Sequence, residues 1–253
     1  MWHIINALIL RELKTRFGKN PTLGYVWVIL EPMMHIIFML IIFTLIRNTI
    51  LPQVPFSLFL ISGMIPFFMF RNIVNFIMNG IEANKSLFTY KPVRPIHVFL
   101  ARAFLEGIIY FIAFNILVCI NGYLINYNVL PYNLIYSLLI FLWMVIIAFS
   151  LGLLFAVIFN GKDIIKNIVN YLLTIMYFSS AIIFPLWVLP NQIITILAYN
   201  PILHIIELFK ENYFETYPIV TQINIEYPLI CTLVLLFFSL GLYYKKRVEL
   251  GTA

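Results

Sequence analysis

Six apolar stretches, each about twenty residues long and almost free of charge, constrain this chain more than any other feature, because about 20 such residues are what a helix needs to cross about 30 Å of hydrocarbon. They fall at 25–46, 54–79, 103–125, 133–159, 168–189 and 227–244, separated by polar or proline-rich joints. Composition agrees: 63% of the 253 residues are hydrophobic and 10% charged, against about 25% charged in an ordinary soluble domain. The expected fold is an all-α membrane protein with six transmembrane helices in a single domain, 1–253. The joints leave no room for a soluble domain of useful size, so a large catalytic engine has to come from another chain.

Orientation follows from Lys and Arg, which cytoplasmic loops retain. Thirteen of the sixteen lie on one side: Arg11, Lys14, Arg16, Lys19; Lys85, Lys91, Arg94, Arg102; Lys162, Lys166; and Lys245, Lys246, Arg247. Arg47 and Lys210 fall on the other side and Arg71 within the second span. Both termini are therefore expected in the cytoplasm of a multi-pass inner-membrane protein. The net charge of +6 is topological and does not form the basic, aromatic-interleaved stripe of a nucleic-acid binder. Residues 1–20 place Trp2, Ile5, Leu8, Ile9, Leu13 and Phe17 opposite Arg11, Glu12, Lys14 and Thr15, which predicts an amphipathic helix lying on the membrane. The apolar Ile4–Leu10 run precedes its basic residues, the reverse of a cleavable signal, so this segment is expected to be retained. Cys119 and Cys231 lack any metal or redox spacing and are read as small core residues.

Residues 181–209 are apolar but broken by Pro185, Pro190 and Pro201 into pieces too short to cross. Such pieces dip in and return only where protein or a watery cavity satisfies their backbone. A re-entrant pair capping the outer mouth of a pathway is expected between spans five and six; simple interfacial helices are the alternative.

No chemistry-bearing motif appears. Gly18-Lys19-Asn20 and Gly161-Lys162-Asp163 lack the upstream glycine and the hydroxyl residue of a P-loop, and neither H-E-x-x-H nor G-x-S-x-G occurs. The sequence offers no catalytic or metal-ligating set, and no cofactor is expected in this chain. Intramembrane ionisable groups are functional candidates by default. Glu31 and His35 share one face of span one, as a gate or substrate contact or as a mutual hydrogen bond. Arg71 either lines a pathway or anchors span two, while Arg102 and Glu106, four apart, read as an ion pair at the interface. Tyr25, Trp27, Tyr110, Tyr171 and Tyr177 are candidates for a pathway whose aromatic faces suit sugar rings. In the second cytoplasmic loop, 81–88 predicts a short amphipathic helix stopped by Pro92 and Pro95. It would offer Leu87, Phe88 and Tyr90 beside Lys85 to a cytosolic partner, or lie on the membrane with no partner.

The run Arg11-Glu12-Leu13-Lys14-Thr15-Arg16-Phe17, with Leu23-Gly24-Tyr25-Val26-Trp27 and Leu30-Glu31-Pro32, resembles the N-terminal signature of type-2 ABC exporter permeases, closest to the capsular polysaccharide branch. Ser62-Gly63-Met64-Ile65-Pro66-Phe67, Asn84-Lys85-Ser86-Leu87 and Pro95-Ile96-His97-Val98-Phe99-Leu100-Ala101-Arg102 with Leu105-Glu106 are similar to the same family. The resemblance implies a homodimeric pore exporting a lipid-linked polysaccharide, driven by two separate cytosolic ATPase subunits that hold the ATP and Mg. It implies that the interface helix and loop 81–95, with Asn84, Lys85, Ser86, Leu87, Phe88 and Tyr90, contact those ATPases. It also implies re-entrant helices before span six and, in diderm bacteria, a periplasmic copolymerase and an outer-membrane channel. O-antigen and teichoic acid exporters share the architecture. Two other classes stay open: a proton-coupled secondary transporter relaying through Glu31, His35 and Arg71, and an intramembrane glycosyltransferase or lipid-modifying enzyme. The first would usually show internal repeats, and the second needs convergent catalytic groups; neither feature is found.

Overall fold

The computed structural model of the chain describes residues 2–17, 30, 33–39, 41, 42, 54–88, 93–125, 129–159 and 162–252. Every regular element among them is helical. In chain order these are α1 (Trp2–Phe17), α2 (Phe56–Met78), α3 (Gly80–Ala83), a 3₁₀ turn (Lys85–Leu87), α4 (Pro95–Ile125), α5 (Leu134–Ile158) and α6 (Asp163–Ser179). A second 3₁₀ turn (Leu186–Val188), α7 (Asn191–Leu197), α8 (Pro201–Tyr213) and α9 (Glu226–Thr252) follow. Residues 33–39, inside the first expected span, are helical; most of that span, including Tyr25, Trp27 and Glu31, lies outside the described residues, as does Tyr90.

Among the described residues four helices, α2, α4, α5 and α9, are long and apolar enough to cross a membrane, and the α7–α8 pair, bent by 111°, makes a fifth if taken as one broken span. The 17 residues of α6 rise only about 25 Å, shorter than the expected fifth span at 168–189. Pro185 bars a helix from running on to 189, since the residue before a proline is pushed out of the helical region and the proline itself has no N–H to donate; α6 stops well before it, at Ser179. The chain turns at Ala181, which takes a left-handed φ of 49°. At the other ends the helices outrun expectation: α4 begins at Pro95, a residue suited to the first helical position, and α9 continues to Thr252.

At the centre stands α2. It is apolar for most of its length, and 83% of its most apolar window is buried, against 22% for α9, which is the signature of a helix surrounded by others. It packs against α4, α5, α6 and α8, while α9 packs on α5 and α1 on α4. Close approach to α5 depends on Gly152: a Cβ there would lie 3.0 Å from Ile77 Cβ and 3.2 Å from Val74 Cα. Small residues serve this purpose in membrane helices, where van der Waals packing carries much of the association. The α4–α5 connection is pinned to the end of α8, with Tyr132 N and Asn133 N donating to the Tyr213 and Asn212 carbonyls at 3.0 and 2.9 Å and Tyr213 Oη to Val129 O at 2.6 Å.

Candidate functional site

Three polar features interrupt the apolar body. The first joins α1 to the loop after α2. Asn84 ends the single turn of α3, so the expected helix over 81–88 is split into α3 and a 3₁₀ turn. Its side chain, 1% exposed, accepts from Arg11 Nη1 at 2.7 Å and donates to Glu12 Oε1 at 3.2 Å and Gly80 O at 3.1 Å. Glu12 Oε1 also receives Arg102 Nε at 3.0 Å, and Arg102 donates to Phe76 O. The guanidinium expected to face Glu106 thus reaches across to the interface helix. The amide orientation at Asn84 follows from this network, which leaves both ends of the amide used. Leu87 and Phe88 are half-buried and pack with Val98, Ala101, Ile5 and Leu8, whereas Lys85 and Ser86 are exposed. Lys166 at the foot of α6 pairs with Glu82, so the loop grips α1, α4 and α6 together.

The second feature lies at mid-height around Tyr177. His35 Nε2 and Tyr177 Oη are hydrogen-bonded at 3.0 Å. Phe68 stacks on Tyr177 at 5.9 Å, Phe67 meets it edge-on at 5.3 Å, and the Arg71 guanidinium sits 4.9 Å from the Phe68 ring centroid. The structure therefore brings together His35, Arg71 and Tyr177. Tyr110 is elsewhere, 2% exposed between α4 and α2, taking a hydrogen bond from Asn72 Nδ2. Tyr171 is 72% exposed on α6.

The faces of α6 give that exposure a meaning. Lys166, Val169, Leu173 and Tyr177 form its buried stripe. A second stripe, Asn167, Asn170, Tyr171 and Thr174, faces out of the chain, and a third, apolar one carries Ile164, Ile168 and Ile175. Residues three and four apart share a helix face, so these four polar groups lie together on one side of α6, which the exposed Phe178 continues. Polar side chains facing hydrocarbon are costly and mark watery or protein-covered surfaces.

The third feature holds the turn after α6. Lys210 is fully buried; its ammonium donates to Ala181 O at 2.7 Å and Glu207 Oε1 at 3.1 Å and lies 3.9 Å from the Phe59 ring centroid. Tyr217 donates to the same carboxylate, 3.0 Å from Oε2; burial first, then the Glu207 charge, push its phenol well above the ordinary range, so it stays a donor. Asn200 caps α8 by accepting from Ile202 N at 3.0 Å and donates to Ser179 and Ser180 Oγ at 3.0 and 2.9 Å. The sequence reading missed this cluster. Its signal was a Glu and a Lys three apart inside a strongly apolar segment.

Membrane-length helices around a buried central one, with a polar stripe facing out of the chain and a loop knotted to α1, define a multi-span membrane protein. Residues 4–214 match the family described as ABC-2 type transporter, and the chain belongs to that family. It is 40% identical over 253 residues to the polysialic acid transport protein KpsM of Escherichia coli, covering 98% of this chain and 95% of that one. The capsule polysaccharide export inner-membrane protein BexB of Haemophilus influenzae is 29% identical over 248 residues, covering 97% and 92%. The O-antigen export system permease protein RfbA of Myxococcus xanthus is 23% identical over 218 residues, covering 84% and 80%. The family resemblance carried by the N-terminal motifs extends along nearly the whole chain.

Proposed function

We propose that this chain is the inner-membrane permease of an ATP-driven exporter of capsular polysaccharide, working as a homodimer of six-span subunits with both termini cytoplasmic. The observation that carries the reading is the polar stripe of α6, Asn167, Asn170, Tyr171 and Thr174, exposed on a single copy. Two copies facing each other through this side enclose it and line a path for a sugar polymer. Neutral amides, hydroxyls and an aromatic ring give weak, repeated contacts, which suit a lipid-linked chain that has to keep moving. The relatives' names support the cargo class, and the α7–α8 bend supports a re-entrant pair at the exit.

ATP and Mg belong to two cytosolic ATPase subunits. Those subunits press on the exposed Lys85 and Ser86 and on α1; the half-buried Leu87 and Phe88 hold the loop to α1 and α4 and stiffen it. Motion of the loop reaches α6 through the Glu82–Lys166 pair, so the contact and the pathway are mechanically joined. A periplasmic copolymerase and an outer-membrane channel complete the route in a diderm cell.

The test is co-purification of the tagged chain with a nucleotide-binding subunit, followed by ATP hydrolysis and capsule export. The ATPase is expected to come with the chain, and Lys166→Met is expected to keep the complex and its hydrolysis while lowering export. A chain that purifies alone yet transports in response to a proton gradient would overturn the reading.

A further inference from the structure

A cavity of about 350 Å³ opens where the start of α4 meets the last turns of α9. Arg94 and Arg247 enter it from the two helices, Tyr243 forms part of its floor, and Val93, Ile96 and Val248 supply apolar walls. The first free amide of α4 is already used, since Ile96 N donates to Tyr243 Oη at 3.3 Å; the positive character comes from the two guanidinia. Arg247 is held in place by stacking, 4.2 Å from the Tyr244 ring centroid. The lining among the described residues includes no acidic side chain.

The depth of the cavity is legible from α9. Tyr243 and Tyr244 give way to Lys245, Lys246 and Arg247, the aromatic-to-basic change that marks a membrane interface on its cytoplasmic side. Guanidinium forks match phosphate oxygens in pairs, and basic pockets between transmembrane helices suit anionic headgroups. The volume is ample for a glycerophosphate headgroup, and acyl chains can lie along the exposed apolar face that includes Phe237 and Leu240.

We infer that this cavity binds the phosphodiester headgroup of an anionic glycerophospholipid from the cytoplasmic leaflet. The inference goes beyond the export reading and shares with it only the orientation of the chain; because binding is measured without ATP or an ATPase, the two fail separately.

The experiment measures phosphatidylglycerol and phosphatidylcholine binding to the purified full chain in detergent. Wild type is expected to prefer phosphatidylglycerol. Arg94→Gln with Arg247→Gln is expected to weaken that binding about thirtyfold, while Lys245→Gln with Lys246→Gln, which removes the same charge from residues outside the lining, stays near wild type. Equal loss in the lysine variant, or no preference between the lipids, overturns the site. Displacement of the lipid by inorganic phosphate at matched concentration reassigns it to a free anion and overturns the lipid assignment. Should the glutamine pair fail to fold, Arg94→Lys with Arg247→Lys keeps the charge but loses the forks. Weaker binding in that variant supports the site, and unchanged binding overturns it.

Discussion

Asn84 ties α1 to the loop after α2 through both ends of its side-chain amide. It is buried, accepts from Arg11 and donates to Glu12 and Gly80 O, so Asn84→Ala strands three partners at once. The loss of buried hydrogen bonds to charged groups is expected to cost about 1–3 kcal/mol, readable as a lowered midpoint of thermal unfolding. Asn84→Asp should be worse than Ala, because it removes the donor and sets a second carboxylate beside Glu12; a midpoint equal to wild type in either variant would sink the knot as a stabilising element. Lys210 presents the opposite case, a fully buried cation with one carboxylate for company. Removing one member of a buried pair is expected to cost about 3–5 kcal/mol, because the other charge is left uncompensated. Lys210→Met should therefore be severely destabilising, and adding Glu207→Gln should recover much of the loss in the same unfolding assay.

Among the elements, α5 and α2 show how a single small residue sets helix spacing. Gly152→Val would drive a branched side chain into Ile77 and the Val74 backbone, and overpacking of this kind is expected to cost about 1–3 kcal/mol, with Gly107→Ala, whose added Cβ would meet Val145 Cγ2 at 3.4 Å, as the tolerated comparison. The left-handed Ala181 tells a similar story about α6. A left-handed backbone costs an L-residue about 1–2 kcal/mol, and here Lys210 offsets it by taking the Ala181 carbonyl. Both α6 and α8 end or begin on contacts made by residues far along the chain, which is why their bounds could not be placed from hydropathy alone. Pro185 announced that span five stops; it did not announce that the stop comes at Ser179.

On the scale of the whole molecule, the proposed path along the polar stripe of α6 can be tested directly. Single cysteines at Asn167, Asn170 and Thr174 are expected to react with a membrane-impermeant maleimide in vesicles carrying the assembled exporter, and cysteines at Ile164 and Ile168 are expected to stay protected. Labelling of the apolar stripe with protection of the polar one would place the pathway elsewhere. Tyr171→Ala is expected to lower export several-fold with ATP hydrolysis retained. Its ring is 72% exposed and faces out of the chain, so the loss would report on cargo contact.

Hydropathy and the N-terminal motifs were enough to determine a helical membrane protein of the ABC-2 family, a first helix over residues 2–17 and a broken apolar segment after α6, because each of these is written in local composition. His35 and Arg71 were named from the cost of ionisable groups in hydrocarbon and Tyr177 as an aromatic face for a sugar ring, and the three lie together; Tyr110, named for the same reason as Tyr177, turned inward to Asn72. Tertiary structure alone decided those outcomes, along with the Arg102–Glu12 reach, the Glu82–Lys166 tie and the burial of Lys210 against Phe59. Each depends on which helices pack side by side, and in a chain where nearly every surface is apolar, shape and a few buried polar pairs choose among packings that hydropathy leaves equivalent.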